Sequence, residues 1–286
     1  LTLFEGLREA ARLGLPVAVH AENEEITRGL TERITERTAR SFLASRPVSA
    51  ELEAIQRALL LAAEAGARLH IVHVSTGRGV ALAAEARARG VDVSIETCPH
   101  YLFFTEEDVE RLGAIAKCAP PLRPANDQRD LWSELLTGHV HIVASDHSPT
   151  VPDKKAGDFI SAWGGIAGVQ STLAVLLDRG HRERNLSLER IASLASAEPA
   201  RRFRMARKGA LQPGHDADLV IVDPAESFVL RPEDLEQRHK ASPYVGAAFR
   251  GRITHTIRRG VTIYRDGRIV ADAGGRFVRP SEAQSS

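Results

Sequence analysis

Short apolar runs alternate with longer amphipathic stretches through the first two-thirds of the chain. Pro16-Val17-Ala18-Val19, Leu69-His70-Ile71-Val72 and His141-Ile142-Val143-Ala144 have strand length and are bounded by polar or turn residues. Between such runs, apolar positions recur three and four apart, as in Leu3, Phe4, Leu7 and Ala11. The pattern predicts helix 2–13, strand 16–21, helical residues at 24–38 and 50–65, strand 69–74 and helix 78–88. It continues with strand 91–97, a short helix after Thr105, helix 127–137, strand 140–145, and helices at 165–178 and 187–203. Thr2-Leu3-Phe4-Glu5 has the form of a capping box, Arg46-Pro47 is a break, and Gly90 closes a helix. Strands separated by helices cannot be hairpin partners, so they predict parallel βα units.

After about residue 205 the pattern changes. Gly209, Pro213 and Gly214 supply turn chemistry, and strands are expected at 218–223, 226–230, 252–259 and 262–265. This is antiparallel material. The predicted organisation is an α/β unit over 1–205, a flanking β segment over 206–275 and a polar tail at 276–286. An eight-stranded barrel needs twice the four confident parallel strands. A doubly wound sheet is disfavoured, because no strand is followed by a glycine-rich phosphate turn. The strand count therefore leads to the expectation that the chain is the C-terminal part of a longer protein.

Composition narrows the function classes. The 286 residues are 43% hydrophobic, enough for a packed core. Lys plus Arg number 38 against 37 Asp plus Glu, and no basic run marks a nucleic-acid footprint. No apolar stretch approaches the ~20 residues that span a bilayer. The two cysteines, Cys98 and Cys118, lie outside any C-x-x-C pattern and read as small buried residues. A reducing, cytoplasmic setting is expected.

Chemistry gathers at the strand ends. His20, His73 and Asp146 each stand at or just past the C-terminal end of a predicted strand. Parallel strands direct such residues to one face, where α/β barrels build their active sites. Each residue alone reads equally simply as a strand-end polar group. Their equivalent placement reads as a divalent-metal site. A charged residue closing an apolar strand also needs a partner or a metal, which singles out Asp146. Metal-assisted hydrolysis is the reaction such a set supports, with an aspartate able to carry the proton.

Three segments carry a specific resemblance: Val19-His20-Ala21-Glu22-Asn23, Glu96-Thr97-Cys98-Pro99-His100-Tyr101-Leu102 and Ser145-Asp146-His147-Ser148-Pro149. They resemble the cyclic amidohydrolases, a family of dihydroorotases, hydantoinases and allantoinases. Ala162-Trp163-Gly164-Gly165-Ile166-Ala167-Gly168 and Arg238-His239-Lys240 favour the allantoinase group within it.

The resemblance implies a fold: the C-terminal part of a TIM-like (β/α)8 barrel plus a small flanking β-sandwich segment. It implies hydrolysis of a cyclic ureide or amide, most simply allantoin to allantoate in purine catabolism. Hydantoinase, dihydropyrimidinase or dihydroorotase activity is the alternative, and a non-catalytic scaffold subunit a further one. It implies two divalent ions, zinc by preference, with His20 and His73 on one and Asp146 on the other as catalytic acid/base. The family's bridging carbamylated lysine and His-x-His pair have no match here, and are expected upstream of Leu1. The isolated chain is accordingly expected to be inactive. His100, Ala119, Gly164 and Gly165 are candidate substrate-binding positions, though His100 reads as well as a structural residue and the two glycines as a plain turn into a helix. Arg123 faces either a substrate group or a surface ion pair. The segment from Lys208 to Asp218 reads as structural. A homotetramer without nucleic-acid or membrane partners is implied.

Overall fold

Four short strands pair in chain order, every neighbour parallel. They are β1 (Pro16–Val19), β2 (Arg68–Ile71), β3 (Val93–Thr97) and β4 (Ile142–Val143). Leu69, Ile71, Val93 and Ile95 have no exposed surface, as expected for strands covered on both faces. Helix α1 (Thr2–Arg12) precedes β1. The first crossover holds α2 (Glu24–Thr31), α3 (Ala39–Ala44) and α4 (Val48–Ala65). Helix α5 (Gly77–Ala88) links β2 to β3, and α6 (Pro99–Phe103), α7 (Glu106–Leu112) and α8 (Ala125–Leu136) link β3 to β4.

Helix α4 buries Ala50, Ala54, Ile55, Ala58, Leu59 and Ala62, the apolar stripe of a helix laid on a sheet. It stops at Gly66, whose φ of 62° suits a residue without Cβ. Helix α5 can approach α8 closely because Gly77 faces Asp130. A Cβ at Gly77 would stand 2.6 Å from the Asp130 backbone.

The computed structural model describes residues 1–281, and the chain divides into two compact units. The first is Leu1–Val169 with Gln237–Pro243; the second is Gln170–Glu236 with the chain from Tyr244 onward. The polar tail expected at 276–286 lies outside the described residues beyond 281.

The second unit begins with helical segments. Thr172–Val175 (α9), Leu188–Ala192 (α10) and Glu198–Arg202 (α11) are α-helical, with wider π turns at Leu176–Arg182 and Ser193–Ala197. An antiparallel sheet follows: β5 (Leu219–Val229), β6 (Ala248–Arg258), β7 (Val261–Arg265) and β8 (Arg268–Ile269). The boundary expected near residue 205 falls inside this unit. The Arg250 N–H donates to the Asp178 carboxylate at 3.2 Å, joining the helical part to β6.

Several expected elements differ. The stretch 24–38 is not one helix; Thr38 caps a separate α3, its hydroxyl accepting from the Ser41 N–H at 3.2 Å. The strands expected at 218–223 and 226–230 are one strand with a bulge. The Asp223 carboxylate accepts from the Ala225 and Glu226 N–H groups and absorbs the register shift. The helix expected at 165–178 starts only at Thr172. Backbone bonds from Gly165 N–H to Lys117 O (2.8 Å) and from Ser148 N–H to Ile166 O (2.9 Å) hold the preceding residues extended.

Candidate functional site

Val19 lies opposite Ile71 in the parallel register, so β1 and β2 end level with each other. His20 and His73 therefore emerge side by side. His20 Nδ1 is 3.0 Å from His73 Nε2, with ring centroids 4.7 Å apart and planes at 72°. His20 is half exposed and His73 is buried. Burial, then repulsion from His20, lowers the pKa of His73 below the usual histidine value, against attraction from Asp146 and Glu96. The ring is thus neutral, the form that ligates a metal. Two nitrogens sharing one ion at about 2.0–2.1 Å each stand roughly 3.0–3.4 Å apart. The His20–His73 spacing fits that requirement.

His73 and Asp146 share a less common backbone state. Their φ angles are 41° and 42°, in the left-handed region. Both occupy the turn just past a parallel strand, so β2 and β4 present their polar residues in the same way. Asp146 does not meet the histidine pair directly. It is exposed and makes no side-chain hydrogen bond among the described residues. Of the two alternatives expected for Asp146, a protein partner or a metal, the described residues supply no hydrogen-bond partner, and its carboxylate is open to solvent. Among the described residues, no three His, Cys, Asp or Glu side chains gather closely enough to hold an ion. The structure brings two of the three expected ligands together and leaves the third at the same, C-terminal end of the sheet, past β4.

The other candidates separate. His100 is buried in α6, and neither ring nitrogen has a hydrogen-bond partner among the described residues. Burial, with repulsion from His73, pushes its pKa down to about 3. Ala119 is half-buried and Gly164 exposed. Gly165 is buried, and a Cβ there would stand 2.4 Å from the Ser148 hydroxyl. Its N–H donates to Lys117 O and its carbonyl accepts from Lys155 Nζ at 2.7 Å. The Gly165 N–H is thus taken, its carbonyl keeps one lone pair beyond the Lys155 bond, and its lack of a side chain serves close approach. Arg123 is a correction too. It is buried, donating to Ser75 Oγ at 2.9 Å and Arg46 O at 2.6 Å, so it holds loops and forms no surface pair. Cys98 and Cys118 are buried, and burial raises both thiols, Cys118 to about 12, so neither is a nucleophile. Lys208 pairs with Asp216 at 2.9 Å and with Asp218, the structural part expected of that segment.

Four acidic or basic positions escaped the sequence reading. Glu22 Oε2 lies 3.6 Å from His20 Nε2, the ring nitrogen turned away from His73. Glu96 faces the His70 ring at 3.2 Å and accepts from the His73 N–H at 3.4 Å. Glu51 is buried and accepts from the Ser75 and Thr76 hydroxyls just beyond His73. Lys155 donates to three backbone carbonyls. Only Glu22 had a local signal, a carboxylate two residues past a candidate ligand. The others meet their partners through the fold.

Comparison with known proteins adds a family. The amidohydrolase family pattern matches residues 2–268. An allantoinase of Rubrobacter xylanophilus is 61% identical over 284 residues, covering 98% of this chain and 63% of that protein. An allantoinase of Solibacter usitatus is 59% identical over 284 residues, covering 98% of this chain and 62% of that protein. The solved L-hydantoinase (dihydropyrimidinase) of Arthrobacter aurescens superposes with a TM-score of 0.91 at 37% identity, covering 94% of this chain and 61% of that one. The chain thus spans about 63% of the length of the curated relatives it matches.

Proposed function

Because the chain belongs to the amidohydrolase family, we propose that it supplies metal-binding and proton-transferring residues to an enzyme that hydrolyses a cyclic amide. The proposed reaction is allantoin to allantoate. The observation that carries the reading is the His20–His73 pair, nitrogens 3.0 Å apart at level ends of two paired strands. Relatives named allantoinase at 61% and 59% identity support the substrate. On this reading the parallel strands are later units of a TIM-like (β/α)8 barrel, and the antiparallel sheet belongs to a flanking β-sandwich.

His20 would hold the ion through Nδ1 and His73 through Nε2, and the imidazole and carboxylate set suits zinc. A divalent ion bound there supplies polarisation of the ring carbonyl and a water of lowered pKa. Glu22, beside the far nitrogen of His20, orients that ring, as a carboxylate behind a ligating histidine does. Asp146, exposed and unbonded, takes a proton from water as the water oxygen bonds to the ring carbonyl carbon. The ring C–N bond then breaks, and Asp146 returns the proton to the departing nitrogen. The product carries one new carboxyl group, which releases its remaining proton to solvent as it becomes a carboxylate, and one freed ureido nitrogen. Ala119 and Gly164 are the positions from which backbone groups would meet the ring amide, and His100 is a buried imidazole within electrostatic reach of His73. The reading includes a second ion and the family's carbamylated lysine, which no residue of this chain provides. It also includes a cytoplasmic homotetramer; among the described residues no helix is long and apolar enough to cross a membrane.

The second reading, a hydantoinase, draws on the Arthrobacter aurescens structure. Turnover of allantoin, hydantoin, dihydrouracil and dihydroorotate by the whole protein that carries this chain separates the two. The highest kcat/KM is expected for allantoin. Preference for another ring would replace the substrate, and hydrolysis of none would end the reading.

A further inference from the structure

Between Asp146 and α9 the chain runs through 147–171, where two 3-10 turns, Pro152–Lys155 and Val169–Ser171, are the only helical segments among the described residues. Loops of that length hold one conformation only when something outside backbone regularity fixes them. A parallel bridge between His147 and Ile166, which includes the Ser148 N–H on Ile166 O at 2.9 Å, returns the far end to Asp146. Within the loop the Trp163 N–H donates to Lys154 O at 2.7 Å and Arg37 donates to the Asp158 carboxylate at 2.8 Å, while two ammonium groups gather its carbonyls.

Lys155 lies within the loop. Its Nζ donates to Ala114 O at 2.8 Å, Trp163 O at 3.0 Å and Gly165 O at 2.7 Å. A protonated lysine has three N–H donors, and all three are used. Lys117 acts from outside the loop. Its Nζ donates to Ile160 O at 2.9 Å and Ala162 O at 2.6 Å, and its own carbonyl accepts from the Gly165 N–H. The Lys117 ammonium also lies 4.7 Å from the Phe42 ring and 5.5 Å from the Phe159 ring, a cation held between two faces. Two cations thus collect five carbonyls, four of them from Ile160, Ala162, Trp163 and Gly165. That segment frames Gly164, which stays exposed. Neighbouring Lys154 differs: among the described residues its ammonium meets only the Trp163 ring, at 5.4 Å.

We propose that Lys155 and Lys117 are positioning residues for substrate binding: they staple the Ile160–Gly165 loop to the segment leading into Ala119, and so set where the Gly164 backbone meets the bound ring. The loop staple stands on the hydrogen bonds alone; the substrate part rests on the proposed cyclic-amide reaction. Burial lowers both ammonium pKa values to about 8, so the carbonyls hold charge at a site that otherwise disfavours it.

The test uses Lys155→Met and Lys117→Met in the whole protein, with Lys154→Met as control. Chymotryptic cleavage after Phe159 and Trp163, read by mass spectrometry, is expected to rise about tenfold or more in the first two variants, and less than about twofold in the control. For allantoin, KM is expected to rise about tenfold with kcat changed less than about threefold, since the loop positions the ring and takes no part in bond breaking. Unchanged cleavage in Lys155→Met overturns the staple, whatever the activity. Increased cleavage with unchanged KM overturns the positioning role. If the unaltered protein hydrolyses no cyclic amide, the reaction fails while cleavage still decides the staple. Should Lys155→Met not fold, Lys117→Met, which removes two carbonyl contacts instead of three, carries the same criteria.

Discussion

Left-handed backbone at residues with side chains occurs in both units, and its purpose differs between them. In the second unit, Arg259 (φ 47°) and Gly260 (φ 82°) join β6 to β7, and Asp266 (φ 49°) and Gly267 (φ 85°) join β7 to β8. Two-residue hairpins of the I′ type need positive φ at both central residues, because that twist matches the strands. In the first unit, His73 (φ 41°) and Asp146 (φ 42°) close no hairpin, since their strands are parallel. There the unusual state falls on two expected ligands at equivalent strand ends. The same backbone cost, about 1–2 kcal/mol per residue, builds a turn in one unit and directs a polar side chain in the other. Burial follows the same division. Strands β2 and β3 are almost wholly enclosed, while β5 exposes Val220, Ile221 and Val229.

The sharpest way to break this comparison is to remove the side chains. His73→Ala and Asp146→Asn in the whole protein are expected to lower kcat/KM for allantoin by about a thousandfold or more. Loss of less than about tenfold in both would make their backbone state as incidental to chemistry as that of Arg259.

Glu51 sharpens the contrast in burial. It accepts from the Ser75 N–H and from the Ser75 and Thr76 hydroxyls, with Arg123 3.7 Å away. Glu51→Ala leaves Arg123 buried without its counter-charge and is expected to cost about 3–5 kcal/mol in urea unfolding. Glu226, paired with Arg252 at 2.7 Å near the surface of the second unit, is expected to cost under about 1 kcal/mol when replaced by Ala.

Acid should act unevenly as well. The pKa of His100 falls from 6.5 to about 3 on folding, so the unfolded chain binds more protons between those values. Stability therefore declines as pH falls below 6.5, and full stability returns above it. By pH 4 the loss is roughly 3 kcal/mol. His100→Gln is expected to flatten this slope, with hydrogen exchange showing the change in the first unit. An unchanged slope would remove His100 as its cause.

The smallest effects belong to the hairpins. Arg259→Gly and Asp266→Gly relieve the side-chain cost of positive φ and are expected to alter stability by no more than about 1 kcal/mol. Allantoin turnover should stay unchanged. Activity loss there would contradict the division between turn and site.

The two units also differ in how far the sequence exposes them. Parallel βα units were legible because buried strands read as unbroken apolar runs, and the strand-end positions of His20, His73 and Asp146 followed. The expected ends overshoot by two residues in β1 and β4 and by three in β2, since the apolar pattern does not show where His73 and Asp146 turn left-handed. Glu51, Glu96 and Lys155 were not legible. Their meaning depends on partners 23 to 41 residues away, which no local spacing encodes. The Trp163-Gly164-Gly165 segment looked like the start of a helix because its extended form is imposed by Lys117 and Ser148. In the second unit the strands expected at 252–259 and 262–265 flank the observed Arg259-Gly260 turn, whereas the bulge at Asp223 gives the local pattern of a break between two strands.

The central claim is that His20 and His73 hold a divalent ion. Its most direct test is the metal-to-protein ratio of the whole protein, purified without chelator, beside the His20→Ala/His73→Ala double variant with its fold verified by circular dichroism. The unaltered protein is expected to carry divalent metal in whole-number proportion, and the double variant to lose about one ion per chain. A full metal complement in the double variant, or none in the unaltered protein, would contradict it.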